Sequence, residues 1–359
     1  MRKVIRDLIE RVRYRHLPVI DRDSVAEHVK IVSGRLDPDK LTVFSYFKDE
    51  MFFCEAFFRH YRDLGVEQFL IIDDNSTDGT QDFLRAQSDC VVLASSVPYG
   101  EFIKYRRLDG RIKVSRAGVA FKSLVQSLFF HEKFSIYVDA DEFLILPPGV
   151  RSIREVLTAL GAEGRAAIVG PMVEFFAPAI HADGAIGVPP ASLEELLEEC
   201  CFFETTPLVE LAGNGRYTLR GPSKTEALFA RYGLALTRAS GVGKKHAIAH
   251  QKTPILYHSD THFRLGSHRV NVPVSDTIML PLIHFVYTRN FIGKVNRAVS
   301  WGSHVDGGLK YKRYRDLFDK MAAQNASMLT DASRKYSSPQ DFIDAGHMKF
   351  PAIPRSDAS

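Results

Sequence analysis

The 359-residue chain has little cysteine, a single tryptophan and no surplus of one charge. Its four cysteines, Cys54, Cys90, Cys200 and Cys201, show no C-x-x-C spacing. That excludes a zinc ribbon and a disulfide scaffold, and fits a reducing compartment, the cytoplasm. Lys and Arg number 47 against 43 Asp and Glu, and the resulting charge of +4 is too mild for a nucleic-acid binder. No run reaches the ~18 uncharged apolar residues of a membrane span. The opening MRKVIRDLIERVRYRH threads charge through the place of a secretory apolar core. Hydrophobic residues make up 45% of the chain, enough to offset chain entropy and exclude disorder as the dominant state. The length predicts two domains, or one large domain with additions, at about 100–200 residues per domain.

Within an N-terminal segment, 1–40, residues 2–16 read as a basic amphipathic helix. Val4, Ile5, Leu8, Ile9 and Val12 recur at helical spacing among Arg2, Lys3, Arg6, Arg11, Arg13 and Arg15. This pattern suits peripheral contact with the inner face of an anionic membrane, or packing on the domain with a solvated basic face. From residue 41 strands and helices alternate: strand 41–47, helix 49–64, strand 67–73, helix 78–87, strand 90–94, helix 115–131 and strand 134–139. The alternation predicts an α/β, mostly parallel sheet with right-handed crossovers, a doubly wound nucleotide-binding half over 41–150. A second half, 151–302, holds helix 151–160, strand 166–176, an irregular insertion at 177–215 with a short acidic helix at 193–200, strand 281–288 and helix 289–301. Residues 303–359 carry a basic helix at 310–329 and a tail expected to pack poorly.

Two carboxylate clusters stand where apolar strands end. The first is Asp73-Asp74-Asn75-Ser76-Thr77-Asp78-Gly79-Thr80. Carboxylates at the ends of strands in such sheets face the ligand crevice and accept hydrogen bonds from a base or ribose, while Ser76 or Asp78 can cap the following helix. A calcium loop is excluded, since its twelfth position is Arg85 rather than a carboxylate. The second cluster is Asp139-Ala140-Asp141-Glu142. Two close carboxylates repel unless a cation lies between them, and oxygen ligands of this kind suit Mg²⁺ or Mn²⁺.

The run FKDEMFFCEAFFRHYRDLGVEQFLIIDDNSTDGT resembles the opening of family 2-like glycosyltransferases, in the subgroup patterned K-[DN]-E, helix, L-G-[VI], then D-[DN]-x-S-x-D-G-T. FSIYVDADEFL resembles their D-x-D-E-F segment. GPSKTEALFARYG and LIHFVYTRNFIGKVNRAVSWG resemble later blocks, of the types S-K and H-[YF]-x2-[ST]-x2-F-x2-K. The resemblance implies a GT-A fold, a mixed and mostly parallel sheet flanked by helices. It implies transfer of a sugar from a nucleotide-sugar donor, UDP-linked by preference, to a glycan or glycolipid acceptor, with inversion and with Mn²⁺ or Mg²⁺. By the same resemblance Lys48, Asp49 and Glu50 line the nucleoside pocket, and Asp73 or Asp74 contacts base or ribose. Asp139 touches ribose and metal, Asp141 ligates the metal, and His284 reaches metal or diphosphate. Arg116 and Lys122 stand where relatives often have Gln or Asn, and as cations they suit the diphosphate. Inverting transfer needs a general base on the acceptor hydroxyl; Glu174 is the first candidate and Asp260 the second.

Two other readings belong to different classes. A nucleotidyltransferase that makes nucleotide sugars carries a Gly-rich segment at its first strand, and LTVFSYFKDE has no glycine. A catalytically silent glycan-binding module has no need of the acidic pair. Seven histidines crowd residues 246–304, but H-E-x-x-H is absent, against a zinc hydrolase.

Overall fold

The computed structural model describes residues 13–180, 187–234, 250–301, 309–324 and 326–351. The expected basic helix at 2–16 falls mainly on residues 1–12, outside the described residues. The chain is α/β, with a large mixed sheet of nine strands flanked by helices. Among the described residues no helix is long and apolar enough to cross a membrane. Contacts divide the chain into two compact units, residues 1–51, 66–140 and 255–272 in the first, and 52–65, 141–254 and 273–359 in the second. The segments of the two units alternate along the chain.

In the first unit the strand order is Val29–Ser33, Cys90–Ser95, Gln68–Asp73, Thr42–Phe47, Phe134–Tyr137, then the end of Gln251–Tyr257. The central four are parallel, with Phe47 opposite Asp73, and the two outer pairings are antiparallel. Parallel strands covered on both faces need apolar side chains at every position. The run Phe69-Leu70-Ile71-Ile72 meets that need and is fully buried. The helix Ala117–Phe129 sets Ala117, Ala120, Phe121, Leu124 and Val125 in one core with Phe44, Leu70, Ile72 and Tyr137. Each large apolar side chain buried there contributes about 1.5–3 kcal/mol. A separate small sheet joins Val19–Ile20, Phe102–Arg106 and Ile112–Arg116.

In the second unit Ala167–Glu174 runs parallel to Leu282–His284, with Glu174 opposite His284, and Leu282–His284 runs antiparallel to Glu142–Leu144, with His284 opposite Glu142. An aromatic ladder runs through this core: Phe57 to Phe143 (6.4 Å), Phe143 to Phe285 (5.4 Å), Phe285 to Phe175 (6.0 Å), Phe175 stacked on Phe203 (5.5 Å), and Phe203 to Phe342 (5.3 Å). A second cluster packs Tyr314, Leu317, Phe318 and Met321, from the helix Leu309–Ala323, against Phe229, Tyr287, Phe291 and Val295.

Two expectations change. Besides the expected short acidic helix, found at Leu193–Glu199, the insertion at 177–215 carries the strand Phe202–Glu204 and the start of a hairpin, Val209–Gly213 with Arg216–Leu219. The tail packs well through residue 350: Ser333–Lys335 pairs with Phe202–Glu204, and Phe342 and His347 are fully buried. The few apolar groups of this polar stretch are spaced to reach the aromatic ladder.

Candidate functional site

In the first unit, appearance in the chain and place in the sheet follow the order 3-2-1-4 for Cys90–Ser95, Gln68–Asp73, Thr42–Phe47 and Phe134–Tyr137. The order reverses between Thr42–Phe47 and Phe134–Tyr137. The crevice beyond the carboxyl ends of strands at such a switch point is where open α/β sheets bind ligands. Lys48 and Asp49 leave one of these strands and Asp139 leaves the other.

Much of the first acidic motif is structural. Ser76 Oγ accepts the N–H of Asp49 (2.9 Å), Thr80 Oγ1 that of Glu50 (3.0 Å), and Asp78 Oδ2 that of Met51 (3.1 Å). Three side chains thus satisfy donors at the start of the helix Met51–Asp63, which no carbonyl of the helix itself can reach. Asp49 Oδ1 returns the contact by accepting from Thr77 N–H (2.7 Å). The Lys48 ammonium donates to the carbonyls of Asp74 and Asn75, both at 2.6 Å, and so ties the two strand ends together.

Asp73 and Asp74 differ. Asp73 is 2% exposed; its Oδ2 accepts from Ser76 N–H (3.2 Å) and Gln81 Nε2 (3.0 Å), while Oδ1 is buried with no hydrogen-bond partner. Asp74 Oδ1 accepts from Tyr99 N–H (3.1 Å) and the Tyr46 hydroxyl (3.4 Å). Burial pushes the Asp74 carboxyl pKa up, against the pull of these donors and of Lys48. Tyr99 meets Tyr46 edge-on at 5.1 Å and packs where Gly118 leaves room on the helix.

Asp139 is held by two donors on Oδ1, Lys122 Nζ (2.8 Å) and the Tyr137 hydroxyl (3.1 Å). Lys122 lies 5.7 Å from the ring centre of Tyr99 and 5.2 Å from that of Tyr137. Burial disfavours its ammonium, but Asp139, Tyr137 and Tyr99 together outweigh this and lift the Lys122 pKa well above the ordinary lysine value. Arg116 donates to the Gly100 carbonyl and lies over Phe102 at 4.9 Å.

The second unit holds Asp141. Its Oδ2 is 3.1 Å from Lys294 Nζ, its Oδ1 is 3.8 Å from His284 Nε2, and its carbonyl accepts from Phe285 N–H (3.0 Å). Neighbouring Glu142 is 1% exposed and is paired with the fully buried Lys252. Lys294 was not among the expected residues, although it is the final lysine of the block H-[YF]-x2-[ST]-x2-F-x2-K.

These partners bear on a divalent ion. Asp139 and Asp141, two residues apart in the chain, each carry a lysine, so each charge is already balanced. Among the described residues no group of three His, Cys, Asp or Glu side chains is gathered to hold a metal ion. At Asp139, where Lys122 is already bound, the donors do not fit the expected Mn²⁺ or Mg²⁺.

Neither candidate base is poised for proton transfer. Glu174 accepts two hydrogen bonds from Thr225 at the start of the helix Lys224–Arg231, and the Thr225 hydroxyl lies 2.7 Å from that of Tyr287. This is a buried anchor for a helix N-terminus, where a carboxylate is favoured. The S-K block has a similar purpose: Ser223 and Glu226 form a capping box, and Lys224 binds Glu204 and the Met328 carbonyl. Asp260 is placed elsewhere. Its strand runs antiparallel to Phe134–Tyr137, with Tyr257 opposite Phe134, so Asp260 emerges at the sheet edge opposite Asp139. There it is exposed and bound by Arg22 (2.8 Å) and His131 (3.2 Å), chiefly the former holding its carboxyl below the usual range. Of the crowded histidines, His258 is buried against Ser135 and burial drives its pKa well below the ordinary value. His246 and His304 lie outside the described residues. Compared with known proteins, the chain matches no family model and no curated sequence.

Proposed function

We propose that the chain is a glycosyltransferase of GT-A type, moving a sugar from a nucleotide-sugar donor to a glycan or glycolipid. The observation that carries this reading is the switch point of the first unit, with Asp139 at its strand end and Asp73 and Asp74 at the end of the neighbouring strand, Asp73 Oδ1 being buried and unpartnered. An unsatisfied buried acceptor costs about 1–3 kcal/mol. A base N–H or a ribose hydroxyl supplies the missing donor, which makes a nucleoside the ligand that this oxygen suits. The resemblance of the surrounding motifs supports the same donor class, with UDP preferred.

Transfer forms a bond from an acceptor oxygen to the anomeric carbon and breaks the bond from that carbon to the diphosphate. The electron pair of the broken bond ends on a phosphate oxygen, and the acceptor proton passes to a base. Positive groups near that phosphate lower the barrier, because they stabilise charge that develops only as the bond breaks.

The test is a panel of UDP-, GDP-, ADP- and dTDP-sugars, with released nucleotide measured by chromatography with and without glycan acceptors, and nucleotide affinity measured by calorimetry. At least one donor is expected to bind and turn over, and Asp73→Asn is expected to weaken its binding by about tenfold, the equivalent of one lost hydrogen bond. Binding of none of these nucleotides overturns the reading.

A further inference from the structure

We infer that the Lys122 ammonium, held at Asp139, takes the place of a divalent cation there, so that the diphosphate of the donor binds without metal. The inference rests on the proposed glycosyltransferase reading and concerns the same residues.

In the first unit Lys122 is a fixed cation. Its side chain is 6% exposed, its Nζ is 2.8 Å from Asp139 Oδ1, and two tyrosine rings enclose it. A charge held this way loses little further freedom when an anion arrives, and the ring faces favour its positive form. An ammonium has three N–H donors, and Asp139 takes one of them. Lysine binds phosphate as a point charge and needs no bidentate geometry.

The chemistry at Asp139 agrees. The Lys122 ammonium already balances the Asp139 carboxylate. To bind in its place, a divalent ion would have to expel Lys122 from between the rings while leaving that ammonium buried without its counter-ion, a costly arrangement. The residue pattern therefore opposes a metal at Asp139 on chemical grounds.

The experiment is calorimetric titration of the full chain with UDP, GDP, ADP and dTDP, in EDTA and again in Mn²⁺, with the matching phosphate-free nucleosides as controls. The best-binding diphosphate is expected to bind equally well in both buffers, within about twofold. An affinity at least about tenfold lower in EDTA, restored by Mn²⁺, overturns the inference and leaves the glycosyltransferase reading standing. Absence of nucleotide binding in either buffer overturns both. Lys122→Met, checked for folding by circular dichroism, is expected to lose at least about tenfold in diphosphate affinity and to keep its nucleoside affinity. Lys122→Arg, which keeps the charge, is expected to retain metal-free binding. An unchanged diphosphate affinity in folded Lys122→Met also overturns the inference.

Discussion

Both carboxylate oxygens of Glu174 are held by one residue, Thr225, whose backbone N–H and hydroxyl each donate at 2.6 Å. The hydroxyl is shared with Tyr287, so the group forms a closed buried network rather than a base waiting for a proton.

Glu174→Gln separates the two roles. The amide turns one acceptor into a donor that faces another donor, and the expected cost is about 1–3 kcal/mol of stability. Removal of a general base lowers turnover by about 10²–10⁴-fold. Sugar transfer per folded molecule is instead expected to stay within a few-fold of wild type. Urea denaturation and transfer assays on the same preparation distinguish the outcomes, and a loss of turnover in that range without destabilisation would reinstate Glu174 as the base.

Lys252 and Glu142 form a buried ion pair beside Asp141 in the chain. Removing one charge strands the other, and Lys252→Met is expected to cost about 3–5 kcal/mol. The double variant Lys252→Met with Glu142→Leu removes both charges and is expected to recover most of that loss. Denaturation of the two variants checks the pair, and equal instability of both would contradict it.

The strands of the first unit were legible because a parallel sheet covered on both faces demands unbroken apolar runs such as FLIID, and the acids that follow mark the strand ends. The hairpins were legible but unread. Asn214-Gly215, with φ of 54° and 69°, and Asp109-Gly110, with Gly110 at 79°, are turn dipeptides that accept left-handed backbone. Ser223 and Glu226 carry the spacing of a capping box, which explains a block that otherwise suggests chemistry. Asp260 could not be placed from local pattern, because nothing near it says that its strand runs antiparallel to Phe134–Tyr137. The lysine partners of Asp139 and Asp141 were equally hidden, since Lys122 is 17 residues from Asp139 and Lys294 is 153 from Asp141.

Gly118 is helical, and Gly to Ala in a helix interior ordinarily adds about 1 kcal/mol. Here a Cβ would fall 1.9 Å from the Tyr99 ring. Overpacking costs about 1–3 kcal/mol and outweighs the helical gain, so Gly118→Ala is expected to destabilise. It also pushes the ring away, and with it the Tyr99 N–H that binds Asp74, so nucleotide affinity is expected to fall. Tyr99→Ala removes the ring, so Gly118→Ala is expected to destabilise in the wild-type background and no longer to do so in the Tyr99→Ala background. Equal destabilisation by Gly118→Ala in both backgrounds would show that the ring is not the obstacle.

His347 sets a pH limit on stability. Its ring is fully buried, Nε2 bonds the Glu204 carbonyl at 2.9 Å, and Nδ1 is buried with no partner. Burial pushes its pKa from 6.5 down to about 4, because a proton on Nδ1 would have no acceptor. The unfolded chain gains that proton near pH 6.5 and the native chain only near 4, so the stabilisation is complete above 6.5 and is lost as pH falls toward 4. That interval corresponds to about 3 kcal/mol. The buried imidazole of His258 acts in the same direction. Urea denaturation between pH 7 and 4.5 is expected to show falling stability, with a slope shallower by up to about one proton in His347→Gln, which keeps a donor for Glu204 and cannot titrate. Identical slopes in the two proteins would mean that His347 takes up its proton at the same pH in the native chain as in the unfolded one.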